Sequence, residues 1–90
     1  MLVLPAKLTH DDAAACVRML VEAMKREPST AIVADASPLS AFDSSALAAL
    51  LQCRREALAL GKSFSLAHMH PRLRDLASLY GVGELLPASA

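Results

Sequence analysis

A short polar run, at the point where a loop changes to a helix, contains the side chains best suited to recognition or chemistry. Asp43, Ser44 and Ser45 follow a loop with Pro38 and open a helical pattern that continues to Leu60. Short oxygen-bearing side chains satisfy the free N–H groups of a helix N-terminus, so Asp43 or Ser44 is expected to cap this helix. A cap explains one polar residue and leaves open whether the others belong to a binding surface.

The remaining chemically capable side chains do not form an enzyme signature. His68 and His70 provide two ligands where a zinc site normally needs three or four, so we expect exposed turn residues, with His70 as a cap. Asp35 ends a predicted strand and has no partner nearby in sequence, which favours a loop-bracing role. The sequence also lacks phosphate-binding glycine loops and nucleophile motifs. We therefore expect no enzyme, cofactor or metal; an enzyme using Asp35 and His68 is the weakest alternative.

Composition limits the class of protein and its partners. Ninety residues, 54% of them hydrophobic, are enough for a single domain over residues 1–90 with its own core. Aromatic residues make up only 3%, which argues against base-stacking platforms. Nine basic residues balance nine acidic ones, so no basic surface for phosphate backbones is expected. Nucleic acid is therefore not an expected partner.

Cysteine use and hydropathy indicate a cytoplasmic protein. Cys16 and Cys53 lie in different helical patterns and form no CxxC motif, so both are expected to be reduced core residues. The opening residues lack the basic region and apolar run of a signal peptide. Apolar stretches all fall well short of the roughly 20 residues of a membrane span, so direct membrane insertion is not expected.

The elements that must position the polar run alternate between strands and helices. The order β-α-β-α-β-α predicts an α/β fold whose sheet is at least partly parallel, with helices packed on it. The tail is expected to place Leu85 and Leu86 against the sheet edge. The first predicted strand is short and ends at Pro5, and the other two cover residues 31–36 and 62–68. The predicted helices cover residues 11–26, 44–60 and 71–81.

The middle helix carries more apolar surface than its core side requires. Its core stripe is expected to contain Ala46, Ala49, Leu50, Cys53, Ala57 and Leu60, while the third helix buries Leu73, Leu76, Ala77 and Tyr80. A second stripe about 100° away contains Ser44, Leu47, Leu51 and Arg55. It is either flanking core or a partner-binding face headed by a hydroxyl. Phosphate on Ser44 would lie at the positive end of the helix dipole.

Several motifs resemble the STAS domain, the fold of the anti-sigma factor antagonists. They are D-x-S-x-L from Asp35 to Leu39, F-D-S-S-x-L from Phe42 to Leu47, and the ending "LASLYGVGELLP". That ending is similar to MlaB-type STAS proteins, the small subunits of Mla phospholipid-transport ABC complexes. The resemblance implies a small STAS-type fold with a mixed β-sheet, helices packed on it, and a first strand that is short or absent.

The resemblance also implies a function and a set of contacts. A protein of this kind binds and regulates or stabilises the cytoplasmic, MlaF-like ATPase subunit of a complex that maintains outer-membrane lipid asymmetry. It would be peripheral to the inner membrane through that complex. The residues expected to bind the partner are Asp43, Ser44, Ser45, Leu47, Leu51 and Arg55.

The alternative that the resemblance leaves open is an anti-sigma factor antagonist in a partner-switching pathway. In those proteins the first hydroxyl after the aspartate is phosphorylated by a partner serine kinase, and this position is Ser44. MlaB-like proteins usually have threonine there. Ala46 stands where a glycine is common, and alanine is an ordinary helix residue that the fold should tolerate.

Overall fold

The computed structural model describes residues 2–88. Strands and helices alternate along the chain, and the C-terminal part ends in a 3₁₀ turn. The strands are β1 Leu2–Val3, β2 Lys7–Leu8, β3 Ala31–Asp35, β4 Ala41–Phe42 and β5 Ser63–Ala67; the helices are α1 Ala13–Arg26, α2 Ser44–Ala59 and α3 Pro71–Leu79, and the 3₁₀ turn is Gly83–Leu85.

The main sheet has the strand order β1-β3-β5, and the predicted α/β class with a short first strand is confirmed. Ala34 pairs with Leu2 on one side and with Leu66 on the other. Helical crossovers join these strands, and such connections produce parallel pairs. The sheet that was expected to be mixed therefore contains only parallel pairs within residues 2–88.

The first strand ends before Pro5, as predicted, but the chain then forms a further strand that the sequence pattern did not indicate. Proline has no N–H to donate to a ladder, so β1 stops after two residues. The carbonyl of Ala6 accepts from the N–H groups of Ser40 at 2.9 Å and Ala41 at 3.1 Å. These bonds bring β2 beside β4 as a second, two-stranded parallel sheet.

The core lies between the sheet and the helices and consists almost entirely of aliphatic side chains. Helix α1 buries Cys16, Leu20 and Met24, and α2 packs against both α1 and β5. Cys16 and Cys53 are free and buried, which confirms the prediction of reduced core residues. Burial raises the pKa of the Cys53 thiol to about 12.

Two predicted core residues are wrong because both helices end earlier than their apolar patterns. Leu60 follows the last residue of α2 and is 40% exposed, and Tyr80 follows the last residue of α3 and is 58% exposed. Gly61 and Gly81 adopt φ values of +74° and +72° directly after them. Only glycine adopts this left-handed conformation readily, so these two residues stop the helices.

The C-terminal tail covers part of the β5 edge. Leu86 is fully buried, as predicted, whereas Leu85 is 40% exposed. The N–H of Leu66 donates to the carbonyl of Pro87 at 2.9 Å, and Leu66 pairs with Ala88 in a parallel bridge. Within residues 2–88 no helix has the length and apolar character needed to cross a membrane.

Candidate docking surface

Asp43 is the residue that caps α2, and this leaves Ser44 available. One carboxylate oxygen of Asp43 accepts from the N–H of Ser45 at 2.8 Å, and the other accepts from the N–H of His10 at 3.3 Å. Ser44 is the first helical residue and its side chain is exposed. Its hydroxyl makes no hydrogen bond with any residue from 2 to 88. The cap and the exposed hydroxyl are therefore two different residues.

Leu47 does not lie on the exposed side of α2, and its predicted place in a partner-binding face is corrected. Its side chain is 4% exposed and belongs to the same buried cluster as Leu50 and Cys53. At 100° per residue, Leu47 lies about 60° from Ser44, on the side that leads to Leu50. The flanking-core interpretation is thus the right one for Leu47, which has almost no surface to offer a partner.

A continuous surface stripe nevertheless runs down α2 from Ser44. The residues that share it lie within an arc of about 80° and follow Ser44 at i+4, i+7, i+11 and i+14. We call this set the α2 stripe: Ser44, Ala48, Leu51, Arg55 and Leu58. Leu51 is half-buried, and the others are exposed.

Two members of the α2 stripe were missed by sequence reasoning. Ala48 is exposed and takes the place predicted for Leu47, and Leu58 is 51% exposed. Their spacing from Ser44 was a usable signal, because i+4 and i+14 both return to the same face of a helix. Hydrophobicity favoured Leu47 over Ala48, although the larger side chain was the one that the core needed.

The α2 stripe combines apolar surface with one available positive charge. Within residues 2–88 the only ion pair is Lys25 with Glu22, at 3.5 Å, so Arg55 has no carboxylate partner there. The nearby Glu56 accepts instead from the side-chain amide of Gln52 at 3.0 Å. The α2 stripe therefore presents a hydroxyl, a methyl group, two leucine side chains and a guanidinium group on one side of the helix.

A second exposed region lies beside the N-terminus of α2, on α3. The ring of Phe42 contacts the ring of His70 edge-on, with centroids 6.0 Å apart, and the guanidinium carbon of Arg72 lies 5.6 Å from the Phe42 centroid. His70 also caps α3, as predicted, because its Nδ1 accepts from the N–H of Arg72 at 3.0 Å. A groove of about 320 Å³ is lined by Phe42, Arg72, Asp75, Leu76 and Leu79.

Asp35 pairs with Ala67, the residue before His68, at the carboxyl end of the sheet, but the carboxylate of Asp35 has a structural partner. One of its carboxylate oxygens accepts from the N–H of Ser37 at 2.9 Å. Hydrogen bonding to the backbone and then to the side chain of Ser37 holds the pKa of Asp35 below its ordinary value. His68 is exposed and follows Ala67, the β5 partner of Asp35. Asp35 thus braces its loop, as predicted.

The two histidines are exposed turn residues, as predicted. His68 adopts a positive φ of 57°. Within residues 2–88, no group of three or more histidine, cysteine or carboxylate side chains is close enough to hold a metal ion.

The comparisons with known proteins place this geometry in a family. The family model described as "Mlab, STAS domain" matches residues 1–87. The chain belongs to the MlaB-like STAS family. STAS domains are mainly non-enzymatic regulators that act through protein–protein contacts.

Solved structures support the same fold. The structure of the anti-sigma factor antagonist SpoIIAA in its unphosphorylated form has a TM-score of 0.73 to this STAS domain, at 23% sequence identity. The match covers 98% of this chain and 76% of that chain. The comparison with curated proteins gave no significant match.

Proposed function

We propose that this STAS domain is the MlaB-like subunit of an ABC-type phospholipid-transport complex that maintains outer-membrane lipid asymmetry. In this role it binds the cytoplasmic, MlaF-like ATPase subunit and stabilises or regulates it, without catalysing a reaction itself. The observation that carries the proposal is the match of the MlaB-type family model over residues 1–87. The protein is then cytoplasmic and peripheral to the inner membrane through its partner.

The α2 stripe is the surface proposed to contact the ATPase subunit. It is accessible along the length of α2. At the N-terminal end of the helix, Asp43 fixes the backbone by accepting hydrogen bonds from the N–H groups of Ser45 and His10. Leu51 and Leu58 offer apolar contact, and Arg55 offers a guanidinium group suited to a carboxylate of the partner. Asp43 and Ser45 flank the stripe, while Leu47 supports it from the core.

Co-purification with an ATPase encoded beside this protein tests the proposal. Ser44→Glu and Ala48→Asp add a negative charge to the stripe. The fold should persist, because an acidic side chain at Ser44 suits the helix dipole and Ala48 is exposed. We expect both variants to lose the ATPase complex. Ser78→Glu, at an exposed serine of α3, is the matched control and should bind as the unmodified protein does. Unchanged binding by both stripe variants would exclude the α2 stripe as the docking face.

The second candidate is an antagonist of an anti-sigma factor that is switched by phosphorylation of Ser44. Its support is the fold shared with SpoIIAA and the exposed, unbonded hydroxyl of Ser44 at the start of α2. Intact-mass measurement after incubation with a cognate serine kinase and ATP separates the two candidates. A stoichiometric phosphate that disappears in Ser44→Ala favours the antagonist, and its absence with the neighbouring kinases favours the transport subunit.

A further inference from the structure

The groove on α3 has features that the proposed function does not use. Among the large hydrophobic side chains within residues 2–88, Leu79 is the most exposed, at 81%. Leu76, on the same helix, is half-buried. Arg72, Asp75, Leu76 and Leu79 are spaced i, i+3, i+4 and i+7, and all four line the same groove. They therefore form one face of the helix. We call these four residues the α3 face.

The charges of the α3 face are opposite in sign and are not paired with each other. Within residues 2–88, neither Arg72 nor Asp75 has an oppositely charged atom within 4.0 Å, and their side chains donate or accept no hydrogen bond. The guanidinium group of Arg72 instead lies over the ring of Phe42, and within residues 2–88 its N–H groups donate no hydrogen bond. A guanidinium fork is suited to bidentate contact with a carboxylate.

A face with one positive charge, one negative charge and two leucines is complementary to itself. We propose that the α3 face pairs with the α3 face of a second copy of this chain around a two-fold axis. In an antiparallel helix pair centred between Asp75 and Leu76, the two Leu76 side chains meet near the axis, and Leu79 of each copy lies opposite Arg72 of the other. The two Asp75 carboxylates also lie near the axis, flanked by the two arginines. The arginine of each copy then lies within about one helical turn of the aspartate of the other, which its long side chain spans.

The size of the α3 face indicates a weak dimer. A nine-residue helix is only about 13 Å long, so this contact lies at the low end of specific interfaces even with Phe42 included. The dimer uses α3 and leaves the α2 stripe free. It therefore does not rest on the proposed function.

Sedimentation equilibrium of the full chain over a wide concentration range tests the proposal with a charge exchange. The unmodified protein is expected to show a reversible monomer–dimer equilibrium. Arg72→Asp and Asp75→Arg each place two like-charge pairs in the interface, so the dissociation constant should rise about tenfold or more in either variant. An equimolar mixture of the two variants should recover association, because each then meets its opposite charge.

Controls separate this contact from loss of folding and from a different surface. Arg74→Asp changes an exposed arginine of the same helix that lines another cavity, and it should leave the equilibrium unchanged. Asp75→Arg retains the contact of Arg72 with Phe42, so its effect does not come from losing that contact. A protein that stays monomeric at all concentrations overturns the proposal. A dimer that is insensitive to both variants, or a mixture that does not recover, overturns it as well.

Discussion

Helices α2 and α3 are both rich in leucine and alanine, yet they use these side chains differently. The sixteen residues of α2 include six that are buried, and Leu47 and Leu50 are among them. The nine residues of α3 include only two that are buried, and Leu79 on its last turn is 81% exposed. The long helix α2 thus buries most of its large apolar side chains in the core, whereas the short helix α3 leaves some of its leucine surface exposed to solvent.

Replacement of Leu47 by aspartate should give the largest loss in the free energy of unfolding. A small loss would contradict the conclusion that α2 buries its apolar side chains in the core. A charge at this buried position has no partner, so we expect a loss of about 3 kcal/mol or more in the free energy of unfolding, measured by urea denaturation. Ala48→Asp, one residue further along and exposed, should cost only about 0.7 kcal/mol, the difference in helix propensity between alanine and aspartate. Similar losses in the two variants would contradict the placement of the α2 stripe.

The same substitution at two leucines of α3 sharpens the contrast within one helix. Leu73 is fully buried, so Leu73→Ala should cost about 2–5 kcal/mol of unfolding free energy. Leu79→Ala removes a side chain that lies mostly in solvent and should cost less than about 0.5 kcal/mol in the monomer. Thermal unfolding of both variants at low protein concentration makes the measurement, and equal costs would refute the burial difference.

The dependence of the free energy of unfolding on pH above neutrality reports on Cys53, on the buried side of α2. Because burial raises the pKa of Cys53 from 9.0 to about 12, the unfolded chain loses this proton at a lower pH than the folded protein. The free energy of unfolding should therefore fall above pH 9, with a slope approaching about 1.4 kcal/mol per pH unit from this group. Cys53→Ala should be less stable at neutral pH and show a flatter fall. An unchanged slope in that variant would show that the thiol ionises freely in the folded state.

A smaller effect is expected at the start of α2, where cap and hydroxyl are separate residues. Asp43→Ala removes the acceptor for the N–H groups of Ser45 and His10, and should cost about 1 kcal/mol of unfolding free energy. Ser44→Ala should cost almost nothing, because its hydroxyl makes no hydrogen bond within the described chain. Equal costs, measured in urea, would mean that Ser44 shares the capping role.

The sequence was sufficient for the order of the three helices and of the three strands of the main sheet, and for the residues that stop them. Pro5, Gly61 and Gly81 act locally through their backbone preferences, so their effects could be predicted without knowledge of the packing. The cap of α3 by His70 is local in the same way. The polar residues Asp43 and Ser44 likewise predicted that α2 begins at Ser44.

The membership of the docking surface could not be predicted in full because it depends on the phase of α2 relative to the core. Leu47 and Ala48 both lie within about 60° of Ser44, and the sequence does not show which of them turns toward β5 and α1. The β2–β4 pair could not be predicted either, because strands of two residues are too short to show an alternating pattern of hydrophobic and polar side chains. Its formation depends on the long-range bonds to the carbonyl of Ala6.

The most direct test of the proposed docking surface measures binding of one partner to two variants of this chain. Isothermal titration of the MlaF-like ATPase subunit would use Ala48→Asp on the α2 stripe and Leu79→Asp on the α3 face. Both positions are exposed, so both variants should fold. We expect Ala48→Asp to abolish binding and Leu79→Asp to bind with the affinity of the unmodified protein. Full binding by Ala48→Asp, together with loss of binding by Leu79→Asp, would contradict the assignment of the docking surface to α2.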